Sequence, residues 1–362
     1  LFRSGSGPYT VVPSREMPLS LICKPAAQMF CLPLWVLDGH EVGGHGIHSI
    51  LNGFAAEMAD ALEAAVAKAF SSGKLNLAGP NNKVSKRVHH LVQPSPRKRD
   101  LTAEEFTRHL ARTFSLEFAA DMAGVLNFGP MFANGLMLYF SADHKDSLLS
   151  HSGTLISKGS YDAHPSAVIR AMAAIEAVKQ LKIAHGERYV SDLTSRLNKA
   201  SSPGSSFSFT TRDGSEVVSL PHSLIQALVP LLVDAALNTN LACLANRSLK
   251  EVLTWTDSDE KVVRKLVTGI TTSNFDSEDA EARHIVAASL QALELHSTGS
   301  ATGSNDLAKI AAKIQANGIK ELKALYNDQC LLCAVPTYAR SRRTETSLSD
   351  LIQRLRLSIK GA

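Results

Sequence analysis

The sequence predicts a mainly α-helical protein of two domains, with at most one small β-hairpin. Apolar residues recur at steps of three and four along most of the chain, which is the spacing of one helix face. The alternation typical of strands is confined to residues 207–220, where Asp213-Gly214 suits a tight turn. A content of 44% hydrophobic and 20% charged residues is ordinary for a globular protein.

The longest uninterrupted helical pattern lies in the first half of the chain. Residues 47–70 carry apolar residues on one face, so we predict a single amphipathic helix that ends near Ser71-Ser72-Gly73. The polar, proline-containing stretch at residues 73–100 predicts a loop. The basic run at residues 97–99 within it is typical of a solvated surface.

Two more helical regions follow, each with a recognisable start. Thr102 and Glu105 have the spacing of a capping box, and the helical pattern that they open continues through residues 114–126. The pair His164-Pro165 predicts the start of another helix, because proline suits the first turn, and that helix extends to about residue 183.

A linker-like sequence at residues 201–206 (SSPGSS) separates two predicted domains, residues 1–200 and 201–362. After its hairpin, the second domain has the pattern of successive helices, predicted at 224–244, 248–256, 259–267, 278–295, 306–325 and 347–359. It carries no cluster of residues suited to catalysis. We therefore predict a regulatory or substrate-selecting role for it.

Cysteine usage and charge narrow the class of protein. Five cysteines are too few, and odd in number, for a secreted disulfide scaffold, and we predict that the Cys330-x-x-Cys333 pair consists of buried structural thiols. The net charge of +4 is small for 362 residues. Nucleic-acid binding through the basic runs near residues 97–99 and 340–343 is not favoured, because no aromatic residues accompany them.

No segment has the pattern of a signal peptide or of a stable membrane span. The most apolar stretch, residues 123–140, is interrupted by polar residues, glycine and proline, whereas a span needs about 20 largely uninterrupted apolar residues. It predicts a buried core helix or helix pair, and we predict a cytoplasmic protein. The chain begins at Leu1, which leaves open an upstream segment, and the oligomeric state is not indicated.

The segment His40-Glu41-Val42-Gly43-Gly44-His45 carries the most informative pattern in the chain. Zinc hydrolases commonly take two histidines from one helix and a carboxylate from another, with a glutamate beside the first histidine as general base. Here the histidines are five residues apart, one more than in the HExxH motif. On a regular helix they would point about 140° apart. They converge only if the helix has a one-residue bulge of π type, which Gly43-Gly44 would ease.

An undistorted helix would offer a competing ligand set. Glu41, His45 and His48 would then share one face, which would leave His40 outside the site and no residue as the base. We prefer the bulged helix because it gives Glu41 a role as the general base.

The other half of the predicted site lies on later helices. Glu117 is predicted to bind the metal, and Asp121, one turn further on, to accept the outer N–H of a ligand histidine and so fix its orientation. His164, at the start of a helix, can donate to an oxyanion formed from a peptide carbonyl. Arg170 can pair with a site carboxylate or hold the substrate backbone.

In this order, the motifs HEVGGH, Glu117-x-x-x-Asp121 and His164-Pro165 with Arg170 resemble those of gluzincin metallopeptidases, most closely the HtpX and CAAX prenyl protease type. The resemblance covers roughly residues 36–185. It implies a Zn²⁺ cofactor and these roles: zinc ligands His40, His45 and Glu117, general base Glu41, and contacts to the reacting carbonyl region from His164 and Arg170.

Two other groups of peptidases share part of this pattern, and two departures distinguish the chain from the HtpX type. Phage-exclusion peptidases of the Lit type look similar in being soluble and helical, and the HExxGH spacing resembles dipeptidyl peptidase III. The HtpX type is embedded in a membrane and lacks the extra glycine. This chain has that glycine and lacks clear spans.

The sequence therefore predicts a zinc metalloendopeptidase that acts on a protein or peptide substrate. The alternative is a catalytically inactive scaffold descended from such a peptidase, in which the extra glycine has spoiled the metal site and the helices bind a protein partner.

Overall fold

The computed structural model describes residues 9–11, 21–24, 31–75, 102–143, 152–155, 164–201, 206–211, 217–272, 279–298 and 304–325. Within these ranges the protein is mainly α-helical with a few short strands, so the predicted fold class is confirmed.

The first part of the chain supplies every element of the candidate site. It contains β1 (Tyr9–Val11), β2 (Leu21–Cys23), a 3-10 helix (Leu32–Leu37), a π-helix (Gly39–Gly46), α1 (Ile47–Ile50), α2 (Phe54–Ser71), α3 (Ala103–Thr113), α4 (Ser115–Phe128), α5 (Pro130–Asp143), β3 (Ser152–Leu155), α6 (Ala167–Leu181) and α7 (Gly186–Ala200).

The second part contains β4 (Ser206–Thr211), β5 (Val217–Pro221), α8 (His222–Asn238), a 3-10 turn (Ala242–Leu244), α9 (Leu249–Val252), α10 (Asp257–Thr272), α11 (Ala282–Thr298) and α12 (Ser304–Leu325). These helices lie where the sequence predicts them. α8 and α9 are shorter than predicted, because the backbone becomes extended at Thr239 after α8 and at Leu253 after α9. The predicted helix at 347–359, the CxxC pair and both basic runs lie outside the described residues.

Two small sheets accompany the helices. β1 pairs with β2 in antiparallel fashion, and β4 lies between β3 and β5 in the second sheet. The predicted hairpin is confirmed, since β4 and β5 pair antiparallel with Phe207 opposite Leu220. β3 pairs with β4 in parallel, a contact that the sequence pattern did not predict.

The prediction of a single helix at residues 47–70 is wrong, because the chain forms two helices there. α1 ends at Ile50, Leu51 is extended, and α2 begins after Gly53, whose φ is 90°. Glycine adopts this left-handed conformation at little cost. The break lets α2 pack in its own direction while α1 continues the π-helix.

Two other predictions for the first half are confirmed. Thr102 and Glu105 form the capping box at the start of α3. The apolar stretch at residues 123–140 is a buried helix pair, α4 and α5, joined at Gly129. Among the described residues, no helix is both long enough and apolar enough to cross a membrane.

The two predicted domains share one hydrophobic core in the described ranges. Buried residues of both halves, from Leu32 through to Leu322, belong to the same cluster. Side-chain contacts also join the halves, among them Tyr189 with Glu260 and Arg196 with Glu294. The domain boundary near residue 200 stays a prediction.

Candidate metal centre

His40 and His45 lie on a π-helix, which confirms the predicted distortion. The π-helix covers Gly39–Gly46, the whole of the motif. Its hydrogen bonds join residues five apart, so a spacing of five brings two side chains to the same side. The ring centroids of His40 and His45 are 4.7 Å apart as a result.

The glycines of the π-helix allow it to approach α4 closely. A Cβ atom at Gly44 would lie 2.5 Å from Ala120 Cα, and one at Gly39 would lie 2.8 Å from Gly124 Cα. Positive φ angles occur at Gly53, Gly73 and Gly129 in the described ranges, but not at Gly43 or Gly44. The glycines are therefore needed for space at a helix–helix contact, and not for the unusual dihedrals predicted for Gly43 and Gly44.

We expect Gly44→Ala to destabilise the protein by about 1–3 kcal/mol and to weaken metal binding, because the added methyl group collides with the α4 backbone. Gly46→Ala is the matched control, since the nearest atom to its Cβ is the Glu41 carbonyl oxygen at 3.4 Å, an ordinary contact. Urea unfolding and zinc titration measure the two effects. Equal behaviour of the two variants would contradict the role given to close packing.

Three side chains that can bind a metal ion converge where α4 faces the π-helix. His40 Nε2 lies 3.1 Å from His45 Nε2 and 3.4 Å from Glu117 Oε2. His45 Nε2 lies 3.1 Å from Glu117 Oε1. Each of the three residues offers one ligand atom, and these three atoms lie within 4.8 Å of one another.

These three groups could hold a metal ion. Ligands at about 2.1 Å from a tetrahedral ion are roughly 3.4 Å from each other, close to the separations seen here. Glu117 Oε2 is buried and accepts no hydrogen bond from the described residues. A buried carboxylate oxygen without a donor is costly, and a bound cation removes that cost. Two imidazoles and one carboxylate are also a typical ligand set of catalytic zinc.

Asp121 and Arg170 form a buried layer behind His40. Asp121 is 1% exposed, and its Oδ1 lies 2.8 Å from His40 Nδ1. Arg170 donates through Nε and Nη2 to the two Asp121 oxygens, at 2.8 and 2.6 Å. His40 Nδ1 also lies 3.1 Å from Arg170 Nη2. Asp121 Oδ1 is the closer of the two groups and accepts from Nδ1 in the tautomer that leaves Nε2, which faces His45 and Glu117, free to bind an ion.

The charges of this layer determine which groups are ionised. Burial raises the pKa of Asp121, but the charge and hydrogen bonds of Arg170 outweigh it and hold that pKa below its usual range. Burial also raises the pKa of Glu117, but the hydrogen bond from His45 and the charge of Arg170 outweigh it and keep that pKa well below its usual range. Both carboxylates are therefore charged at neutral pH, as metal binding requires.

The two remaining predicted site residues have different surroundings. Glu41 is only 4% exposed. Burial lowers the pKa of His45, but Glu117, and to a smaller extent the charge of Glu41, outweigh it and raise that pKa. The side chain of His164 is 61% exposed, and its Nε2 is 3.4 Å from Glu117 Oε1. His164 precedes α6, whose N-cap is Ser166, so Pro165 lies before the helix and not in its first turn.

The competing ligand set is not assembled. His48 stacks on Phe54 with ring centroids 3.8 Å apart, and its buried Nδ1 has no hydrogen-bond partner among the described residues. In the part of the chain that the structure describes, the group able to hold an ion consists of His40, His45 and Glu117.

The buried His48 should make the protein sensitive to mild acid. Burial, followed by the charges of His45 and His40, lowers the pKa of His48 from 6.5 to about 3. The unfolded chain therefore binds a proton that the folded chain does not, so stability is highest above pH 6.5 and falls on acidification towards pH 3. The slope is up to about 1.4 kcal/mol per pH unit.

We expect His48→Gln to flatten the pH dependence of stability, because glutamine does not titrate. Urea unfolding of the metal-free protein from about pH 7.5 to about pH 5 measures the slope for both proteins. An unchanged slope in the variant would show that other groups cause the acid sensitivity.

The sequence predicted the three residues that converge as a possible metal-binding group, His40, His45 and Glu117, but not how the residues around them pack. It left two roles open for Arg170, and the structure pairs it with Asp121. It did not anticipate the contact of the glycines with Ala120 and Gly124, although small residues on both segments were a usable signal. Comparison with known proteins gives no match, neither to a family model nor to a curated protein or a solved structure. The resemblance to gluzincins therefore stays a prediction from motifs.

Proposed function

We propose that this protein is a zinc-dependent peptidase that hydrolyses peptide bonds of a protein or peptide substrate. One observation carries the proposal. The π-helix brings His40 and His45 to Glu117 despite their longer spacing, and a buried general-base candidate, Glu41, adjoins the first ligand. His40, His45 and Glu117 would hold the ion.

In the proposed mechanism, peptide hydrolysis depends on the metal ion and on side chains of the protein around it. Zinc held by His40, His45 and Glu117 would acidify a water molecule and polarise a carbonyl group. Glu41 takes the proton of the attacking water and passes it to the leaving amine. Asp121 and Arg170 keep the His40 ring in one orientation. His164, which is exposed beside Glu117, would donate a hydrogen bond to the oxygen of the reacting carbonyl.

Metal analysis gives the first test of this function. We expect one zinc ion per chain in protein purified without chelators, and at least about tenfold weaker binding in His45→Ala, which loses one ligand. His185→Ala is the control, since His185 is exposed and belongs to a different region of the structure. Protein that binds zinc substoichiometrically, or His45→Ala that binds it as tightly as the wild type, would contradict the proposal.

The inactive-scaffold alternative rested on the extra glycine spoiling the site. The π-helix absorbs the extra residue, and Gly44 makes a tight contact that a larger residue would disrupt. The geometry therefore favours the enzyme. A protein that binds zinc fully but cleaves no bond in a denatured protein substrate would support the scaffold instead.

A further inference from the structure

A cavity of about 750 Å³ lies between α5, α7, α10 and α11, and none of its lining residues belongs to the metal centre. This volume is within the range of pockets that bind small molecules. The walls combine apolar side chains, such as Met131, Leu193 and Val267, with amide and charged groups. The cavity spans the two halves of the chain, so a ligand in it would contact both.

Asn134 lines this cavity and has an unpaired donor. The residue is 1% exposed, and its Oδ1 accepts a hydrogen bond of 2.7 Å from Arg196. That bond determines which end of the amide is oxygen. The Nδ2 group is buried and donates to no acceptor among the described residues.

Gln291 lines the same cavity and has an unpaired acceptor. Glu260 accepts hydrogen bonds from Trp255 Nε1 at 2.7 Å and from the Tyr189 hydroxyl at 2.9 Å. Because the tyrosine proton is directed at Glu260, Gln291 must donate through Nε2 to the tyrosine oxygen, which lies 3.2 Å away. The Oε1 atom of Gln291 is then left buried without a donor among the described residues.

Two such atoms in one cavity indicate a ligand that pairs with them. Buried polar groups are nearly always hydrogen-bonded, and leaving one unpaired costs about 1–3 kcal/mol. A donor and an acceptor, both held in fixed orientation, match a ligand group that offers an acceptor and a donor, as a secondary amide does.

The charges around the cavity favour an anion. The lining contains more basic than acidic side chains, namely Arg188, Arg196, Lys199 and Arg264 against Asp192 and Glu294. Asp192 pairs with Arg188 at 3.9 Å, and Glu294 pairs with Arg196. Basic groups therefore outnumber acidic groups even when Glu260, which lies behind Tyr189 and interacts with Arg264, is added to the acidic ones. This excess of positive charge raises the local concentration of anions.

We propose that this cavity binds a small organic anion in which an amide lies next to the charged group, as in an acylated amino acid or the last residue of a peptide. The amide carbonyl accepts from Asn134 Nδ2, and the amide N–H donates to Gln291 Oε1. The anionic group faces Lys199 and Arg264, and an apolar side chain contacts the apolar wall. This site is independent of the proposed peptidase activity.

Three probes test the proposal on the full chain, by ligand-observed NMR titration at low salt. N-acetylleucine has the amide carbonyl, the amide N–H, the anionic group and the apolar side chain. N-acetylleucinamide lacks the negative charge, and inorganic phosphate lacks the amide and the side chain. We expect N-acetylleucine to bind at least about tenfold more tightly than either of the others. Equal binding of acid and amide, equal binding of phosphate, or no saturable binding at millimolar concentration would each overturn the proposal, the last leaving a cavity filled with water.

Variants connect the binding to the cavity. Asn134→Asp keeps the acceptor for Arg196 but replaces the unpaired donor by an oxygen, and we expect at least about tenfold weaker binding of N-acetylleucine. Lys199→Gln removes one positive charge at an exposed position and should weaken binding severalfold. Lys261→Gln, exposed but not lining the cavity, should leave it unchanged. Thermal unfolding checks that each variant is folded. Wild-type affinity in Lys199→Gln, which does not depend on the buried amide, would overturn the proposal even if Asn134→Asp failed to fold.

Discussion

Replacing Glu41 by glutamine is expected to lower peptide hydrolysis by about 10²- to 10⁴-fold, the usual contribution of a general base. Glutamine has nearly the same shape as glutamate but cannot accept a proton at neutral pH. Glu41 is buried beside His40 and is not one of the groups that converge on the ion site. The variant should therefore keep its zinc and its fold while losing turnover.

The measurement is the initial rate of cleavage of a denatured protein substrate by zinc-loaded enzyme, with metal content determined on the same samples. Glu187→Gln, an exposed glutamate on α7, is the matched control and should keep the wild-type rate. Unchanged cleavage in Glu41→Gln would remove the general base from the proposed mechanism. Loss of zinc in that variant would instead assign Glu41 to the metal ligands.

Replacing Arg170 by methionine is expected to destabilise the metal-free protein by about 3–5 kcal/mol, because it leaves Asp121 as a buried charge without its partner. Methionine retains much of the apolar volume, so the loss of packing is small. Urea unfolding measures the change in the free energy of unfolding. Arg112→Met is the control, since Arg112 forms an exposed surface pair with Asp60 and should cost at most about 1 kcal/mol.

A double variant separates the ion pair from its role at the metal. Arg170→Met combined with Asp121→Leu should recover much of the lost stability, because two apolar side chains replace a buried pair. It should not recover zinc affinity, since His40 Nδ1 then lacks the carboxylate that orients its ring. Recovery of zinc affinity in the double variant would show that Asp121 has no influence on the ligand.

Much of the candidate metal centre was predictable because its residues belong to short sequence motifs. The need for a bulge between His40 and His45 follows from helix geometry alone, and the structure has a π-helix there. Other features required knowledge of how helices pack. The break at Gly53 has a local signal in the turn pair Asn52-Gly53, but the helical spacing of apolar residues continues across it and hides the break. The pairing of β3 with β4 has no local signal, because it joins segments far apart in sequence.

Local order along the chain thus determined the helical class, the capping of α3 by Thr102 and the set of residues suited to bind an ion. Only the tertiary structure decided that Gly44 lies against Ala120, that Arg170 neutralises Asp121, and that Asn134 and Gln291 face one cavity. The physical reason is that these contacts join residues 49 or more positions apart, as Asp121 and Arg170 are. Their distances depend on how close two helices can approach, which side-chain volumes on both surfaces set together.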